Sequence, residues 1–275
     1  MGLSMETAKA CQVLCAFCSR LLYESPSTSW AGQLREQRAL LLEEPFSSVA
    51  PTAAGELERL LAGAGAGGGA AGGGAESSAV AGGAVAGGCA GGEAGGADAA
   101  PAGGGAAGGK DGVSDTFLTA IHQDHTYLFY LVSISHTSPY ESVYRTETRE
   151  MFGPTTLEVR EQYREQGLAV SAEGSLPDDH IGLELDFLGR LFARLAQEAE
   201  AGDHAAADAT EDTIRRFLGE HLLVFAPTYL RNLQERARTP WYRATGALTQ
   251  AVIDLLARQM DAQATDAPVG GAPAD

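Results

Sequence analysis

Apolar side chains along this chain recur three and four residues apart, and no stretch alternates with a period of two. That spacing predicts a helix over 6–23, with Val13, Leu14, Phe17, Leu21 and Leu22 on its apolar side. A second runs over 29–42, between the breaks at Ser25-Pro26-Ser27 and Glu43-Glu44-Pro45, and 56–61 adds a short helical turn. Further on, Phe117, Leu118, Ile121, Leu128 and Leu131 predict a helix over 114–133, with Ser114 or Asp115 as its cap. Thr155 or Thr156 caps another that runs through Gln166 and ends at Gly167. The clearest stripe belongs to 177–200, where Ile181, Leu185, Leu188, Leu191, Phe192 and Leu195 fall on one face. Pro177 suits its first turn, and Asp178 and Asp179 suit the positive end of its dipole. Residues 203–208 read as a polar connector. Helices then follow over 210–225, from Pro227 to 238, and from Pro240 to 260. The fold class is all-α.

Composition changes this picture in one place. Residues 62–112 are almost entirely alanine and glycine and hold more than half of the chain's 35 glycines. Such a segment buries too little apolar surface to offset its ordering entropy, so it reads as a disordered insert. The chain therefore divides into N-terminal helices over 1–61, the insert over 62–112, a main helical domain over 113–261 and a disordered tail over 262–275. The formal charge is −17, which argues against nucleic acid as a partner and for a basic one or simply for solubility. No apolar run is long enough to span a bilayer, and no basic segment leads into a small-residue cleavage site near Met1, so the expectation is a cytoplasmic chain.

Three constellations invite chemistry. Cys11, Cys15 and Cys18 have the spacing that holds three irons of a four-iron cluster in radical S-adenosylmethionine enzymes. They also share one face of a predicted helix, where cysteine acts as a small buried hydrophobe, and no alternating strands stand ready to form that enzyme's barrel. An iron–sulfur protein thus stands as the alternative reading. His122 and His125 flank Asp124, but histidines three apart on a polar face are more often solvated than ligating, and no metal site is expected. The third is Asp178-Asp179-His180 at a helix mouth, a polar recognition point as well as a cap. Neither a phosphate loop nor a nucleophile elbow or zincin motif is present.

Five blocks recur here in an order that resembles one family: SPYESVY at 138–144, PTTLEVR at 154–160 with Tyr163 and Arg164, PDDHIGLELDFL at 177–188, FLGEHLL at 217–223 and ARTPWY at 237–242. Together they look like the TorD/DmsD/NarJ-type redox-enzyme maturation proteins, over about 113–260 well and the first 60 residues loosely. The resemblance implies a single helical-bundle domain and a cytoplasmic chaperone, not an enzyme, with no cofactor of its own. It further implies that the partner is the catalytic subunit of a molybdopterin-dependent oxidoreductase. The chaperone binds that subunit's twin-arginine signal peptide, assists cofactor insertion and delays export. A monomer or a helix-swapped dimer fits this type. The family's Pro-x-Asp-His signature falls on Pro177, Asp179 and His180, and its other binding positions on Leu128, Phe129, Tyr140 and Gly153. The glutamate that often precedes the signature proline is Leu176 here, and the insert is outside the family pattern.

Overall fold

The computed structural model describes residues 2–64, 114–131, 137–146, 151–169 and 177–265. Every regular element among them is helical, apart from one isolated antiparallel bridge between Tyr140 and His180. In chain order these are α1 (Met5–Tyr23), α2 (Thr28–Glu36) with a 3-10 turn (Arg38–Leu42), the short α3 (Phe46–Val49) and α4 (Pro51–Gly63). Next come α5 (Asp115–His125), which widens into a π turn (Thr126–Tyr130), the short α6 (Ser142–Arg145) and α7 (Pro154–Glu165). The last group is α8 (Ile181–Ala201), α9 (His204–Phe217), a π turn (Leu218–Leu222), α10 (Leu223–Arg236) and α11 (Pro240–Met260).

The pair α1 and α8 forms the spine, and α11 packs on α1 as well. All six residues of the α8 stripe are buried, each contributing on the order of 2 kcal/mol on leaving water. Opposite them α1 presents small residues, Ala8, Cys11, Cys15 and Cys18, all fully buried. The helices approach closely because α8 offers glycine at the contact. A Cβ built on Gly189 would lie 3.4 Å from that of Cys15, and one on Gly182 only 2.7 Å from that of Tyr23. Around this spine, α9 lies on α8, while α10 and α4 lie on α11. Trp30 of α2 and Phe117 of α5 meet edge-on at Trp241, at centroid distances of 5.6 Å and 5.9 Å, which seats both helices on the start of α11.

Several boundaries differ from those the pattern predicts. The central helix starts at Ile181 rather than Pro177, because Asp178 and Asp179 turn their carboxylates to other elements and leave the cap to His180. Residues 203–208 are not a connector: the Asp203 side chain accepts from the Ala206 amide, and three alanines carry α9 onward from His204. Pro227 starts no helix but lies inside α10. The π turn just upstream takes the backbone out of its regular register, which is where a missing N–H is tolerated. The predicted 29–42 and 114–133 helices each end early, in a 3-10 and a π turn respectively. The 56–61 turn is a full helix from Pro51 that continues through Gly63, two residues into the Ala/Gly segment. Residues 262–265, expected to fray, lie over Gly219, whose carbonyl accepts from the Thr265 amide at 3.0 Å. The rest of the insert, Cys89 and Leu176, and the tail beyond Thr265, lie outside the described residues.

Candidate functional site

The turn that leads into α8 is the joint of the molecule. His180 caps the helix, its Nδ1 accepting from the Gly182 amide at 3.0 Å. The residues just before it pair with the aromatic loop as a minimal antiparallel bridge: Glu141 N–H donates to the Asp179 carbonyl, and Ile181 N–H to that of Pro139, both at 2.9 Å. Asp179 is fully buried, and both carboxylate oxygens are used inside the fold. One accepts from the Ser142 amide at 2.7 Å, at the start of α6; the other accepts from the Thr156 hydroxyl at 2.9 Å, in the first turn of α7. Asp178 pairs with Arg160 of α7, and its carbonyl accepts from the Tyr163 hydroxyl at 3.1 Å. Two carboxylates thus fasten α6, α7 and the aromatic loop to the head of α8.

Above this joint lies an aromatic cluster. His180 stands between Tyr23 and Tyr140, each ring near-perpendicular to it at a centroid distance of 5.2 Å. His125 packs on Phe129 at 4.7 Å and on Tyr130 at 5.7 Å, and Phe129 meets Tyr242 at 5.6 Å. Burial, then His125, lowers His180 to about 3, and burial, then His122, lowers His125 to about 4, so both are neutral at pH 7. Because the Nδ1 of His180 accepts, its proton sits on Nε2. Burial, followed by Asp179, Tyr130 and Tyr23, raises the Tyr140 phenol to about 12 and keeps it protonated. Next to this cluster Tyr130 (68 % exposed) and Leu131 face solvent, and on α7 and the segment that leads into it so do Met151, Phe152 (59 %) and Leu157. Phe152 holds φ at +65°, a left-handed conformation costly for a bulky residue. Strain of that kind collects at functional positions.

Beneath the joint lies a second polar layer. Glu141, fully buried, accepts from Arg145 Nε at 2.8 Å and pairs with His221 Nδ1 at 3.0 Å. Glu184, one helical turn into α8, is also fully buried, and neither carboxylate oxygen has a partner among the described residues. Burial, then the charges of Glu141 and Asp179, pushes its carboxyl well above the usual range, so it carries a proton.

The seven positions named from the sequence fall into two groups. Tyr140, His180 and Phe129 belong to the aromatic cluster, and Gly153 stands next to the joint, where an added Cβ would sit 3.9 Å from that of Ser142. Pro177 and Asp179 are buried in the joint itself, and Leu128 is a core residue whose carbonyl accepts from the Thr137 hydroxyl at 2.6 Å. Tyr23 and Tyr130 complete the cluster, without any motif to announce them.

The other two constellations have structural roles. Asp124 is buried and accepts from the amides of Arg238 and Thr239 and from the Thr239 hydroxyl, clamping the α10–α11 turn, while His122 is exposed. Among the described residues no group of His, Cys, Asp and Glu is arranged to hold a metal ion. Cys11, Cys15 and Cys18 are sealed between α1, α8 and α11. Burial raises the Cys11 and Cys18 thiols to about 12 and Cys15 in the same direction, opposite to what thiolate ligation needs.

An aromatic, partly exposed surface over a buried polar joint is the kind of surface on which peptides and proteins dock. Comparison with known proteins narrows this. Residues 103–231 match the family model described as nitrate reductase delta subunit. Chaperone protein TorD of Aliivibrio fischeri is 29 % identical over 121 residues, 44 % of this chain and 55 % of that one. Chaperone protein TorD of Vibrio cholerae serotype O1 is 30 % identical over 116 residues, covering 42 % and 50 %. The Tat proofreading chaperone DmsD of Salmonella typhi is 28 % identical over 115 residues, with the same two shares, 42 % and 50 %. The chain is thus similar to the nitrate reductase delta subunit family over 103–231 and to TorD and DmsD chaperones over an overlapping stretch. It spans about half the length of the relatives it matches.

Proposed function

We propose that this protein is a cytoplasmic chaperone for a molybdopterin-dependent oxidoreductase, binding the twin-arginine signal peptide of the apo catalytic subunit. Holding that subunit before export gives time for cofactor insertion. The observation that carries this reading is the aromatic and apolar surface built where the family's signature turn, Pro177–His180, bridges to Tyr140. A twin-arginine peptide is basic at one end and apolar along its middle. A chain of net charge −17 attracts the first part, and Phe129, Tyr130 and Leu131 offer an apolar seat for the second. The family relationship supports the same partner, since relatives are named as chaperones and Tat proofreading chaperones. The experiment is a pull-down from anaerobically grown source cells with the full chain as bait. Recovery of one molybdoenzyme catalytic subunit with its signal peptide still attached is the expected result. Recovery of only mature, processed enzyme, or of none, refutes the assignment.

A further inference from the structure

We propose that, within the function proposed above and resting on it, the two arginines of the signal peptide are read by the faces of Tyr23, Tyr130 and Tyr140 and not by a carboxylate. The acids nearest the bridge are already committed. Asp179 is fully buried between the Ser142 amide and the Thr156 hydroxyl, Asp178 pairs with Arg160, and Glu141 pairs with Arg145 and His221. Glu184 lies deeper still, with no exposure at all. An incoming guanidinium therefore meets rings, not carboxylates.

The rings suit it. Tyr130 is exposed over two thirds of its surface, and Tyr23 and Tyr140 are partly exposed on either side of His180. His180 and His125, the two imidazoles packed among these rings, are both uncharged at neutral pH and so do not repel a cation. A guanidinium is planar, weakly hydrated and stacks on aromatic faces, whereas a lysine ammonium is compact and holds its water. The net charge of the chain draws either cation toward the protein from a distance and does not distinguish them. The tyrosines supply that distinction. The competing acceptors are Glu24 and Asp186, which line an adjacent cleft of about 480 Å³ with Tyr23. Each already has an arginine partner on its own helix, Arg20 at 3.2 Å and Arg190 at 2.7 Å.

The test titrates the full chain with synthetic peptides that carry Arg-Arg or Lys-Lys before the same apolar run. Wild type favours Arg-Arg by about ten-fold, the scale of partly desolvated cation–π contacts. Tyr130→Leu and Tyr23→Leu, which keep apolar bulk and are checked for helix content by circular dichroism, each reduce that ratio several-fold. The Glu24→Gln/Asp186→Asn double variant leaves it in place. A ratio that survives in both tyrosine variants, or collapses in the carboxylate double variant, overturns the proposal. A wild-type chain that binds Arg-Arg and Lys-Lys peptides equally tightly also overturns it, while the chaperone function stands. Binding of neither peptide overturns both.

Discussion

At the scale of single residues, the aspartate that a binding role would favour turns out to be a fastener. Replacing Asp179 with alanine leaves the Ser142 amide and the Thr156 hydroxyl buried without an acceptor. Each such loss costs about 1–3 kcal/mol, so Asp179→Ala is expected to lower unfolding stability by about 2–5 kcal/mol in urea titrations. Asp179→Asn keeps one acceptor and falls between. An unchanged urea midpoint for the alanine variant would show that the joint does not depend on this carboxylate. Glu184 gives a prediction of opposite kind. Its carboxyl is raised in the folded chain, so above the ordinary carboxylate pKa the unfolded chain releases a proton that the folded chain retains. Stability from this group is therefore complete at low pH and declines as pH rises from about 4.5 toward its raised folded value. Glu184→Gln, neutral at every pH, should match wild type near pH 4 and be increasingly more stable toward pH 8. Equal melting temperatures across that range would mean the carboxyl is not protonated. The buried histidines act the other way: His180 and His125 are lowered, so the stability they confer is present above about 6.5 and is lost as pH falls toward 4 and 3.

At the scale of elements, the contact of α1 with α8 decides where the aromatic cluster stands. Gly182 lets the end of α1 approach until Tyr23 reaches His180. By helix propensity alone Gly182→Ala would stabilise by about 1 kcal/mol. The clash at 2.7 Å with Tyr23 Cβ outweighs this, since overpacking at a fixed helix contact costs about 1–3 kcal/mol. The expected result is a lower melting temperature together with altered Tyr23 fluorescence. A gain in stability would mean that α1 shifts freely and that Tyr23 is not held at the site. The cysteines belong to the same contact. Their spacing in the sequence fits a cluster motif and a buried helix face equally, and only the arrival of α8 and α11 against that face separates the two. Helix starts are legible at Ser114 and Thr239-Pro240, where a side chain caps the next turn, whereas α7 starts at Pro154 behind Gly153 and not behind a Thr155 or Thr156 cap. They were misread at Asp178 and Asp179, whose partners lie far along the chain.

At the scale of the whole molecule, the Ala/Gly segment leaves and rejoins the fold at one point. The Ser114 amide donates to the Ala64 carbonyl at 2.6 Å, so the end of α4 and the start of α5 are neighbours. Replacing 65–113 with a short Gly/Ser linker should therefore preserve the fold, and the shorter loop should add about 2 kcal/mol through closure entropy. The measurement is thermal unfolding of the deletion variant beside the full chain. Loss of a cooperative transition would show that the segment supports the domain.

What the sequence determined alone was whatever rests on local repetition and local chemistry. Apolar residues spaced for one helix face gave the all-α class and the buried stripe of α8, and ordered blocks marked the family resemblance and the turn at Pro177–His180. What the tertiary structure decided was which of those polar residues face outward. Aspartates 178 and 179 have the same character in the sequence whether they greet a basic peptide or close a joint. Their direction is set by Ser142, Thr156 and Arg160, brought from other segments by burial of the core. Tyr23 joined the site for the same reason. Its neighbour His180 is distant in sequence, and only helix-on-helix packing through Gly182 makes them touch.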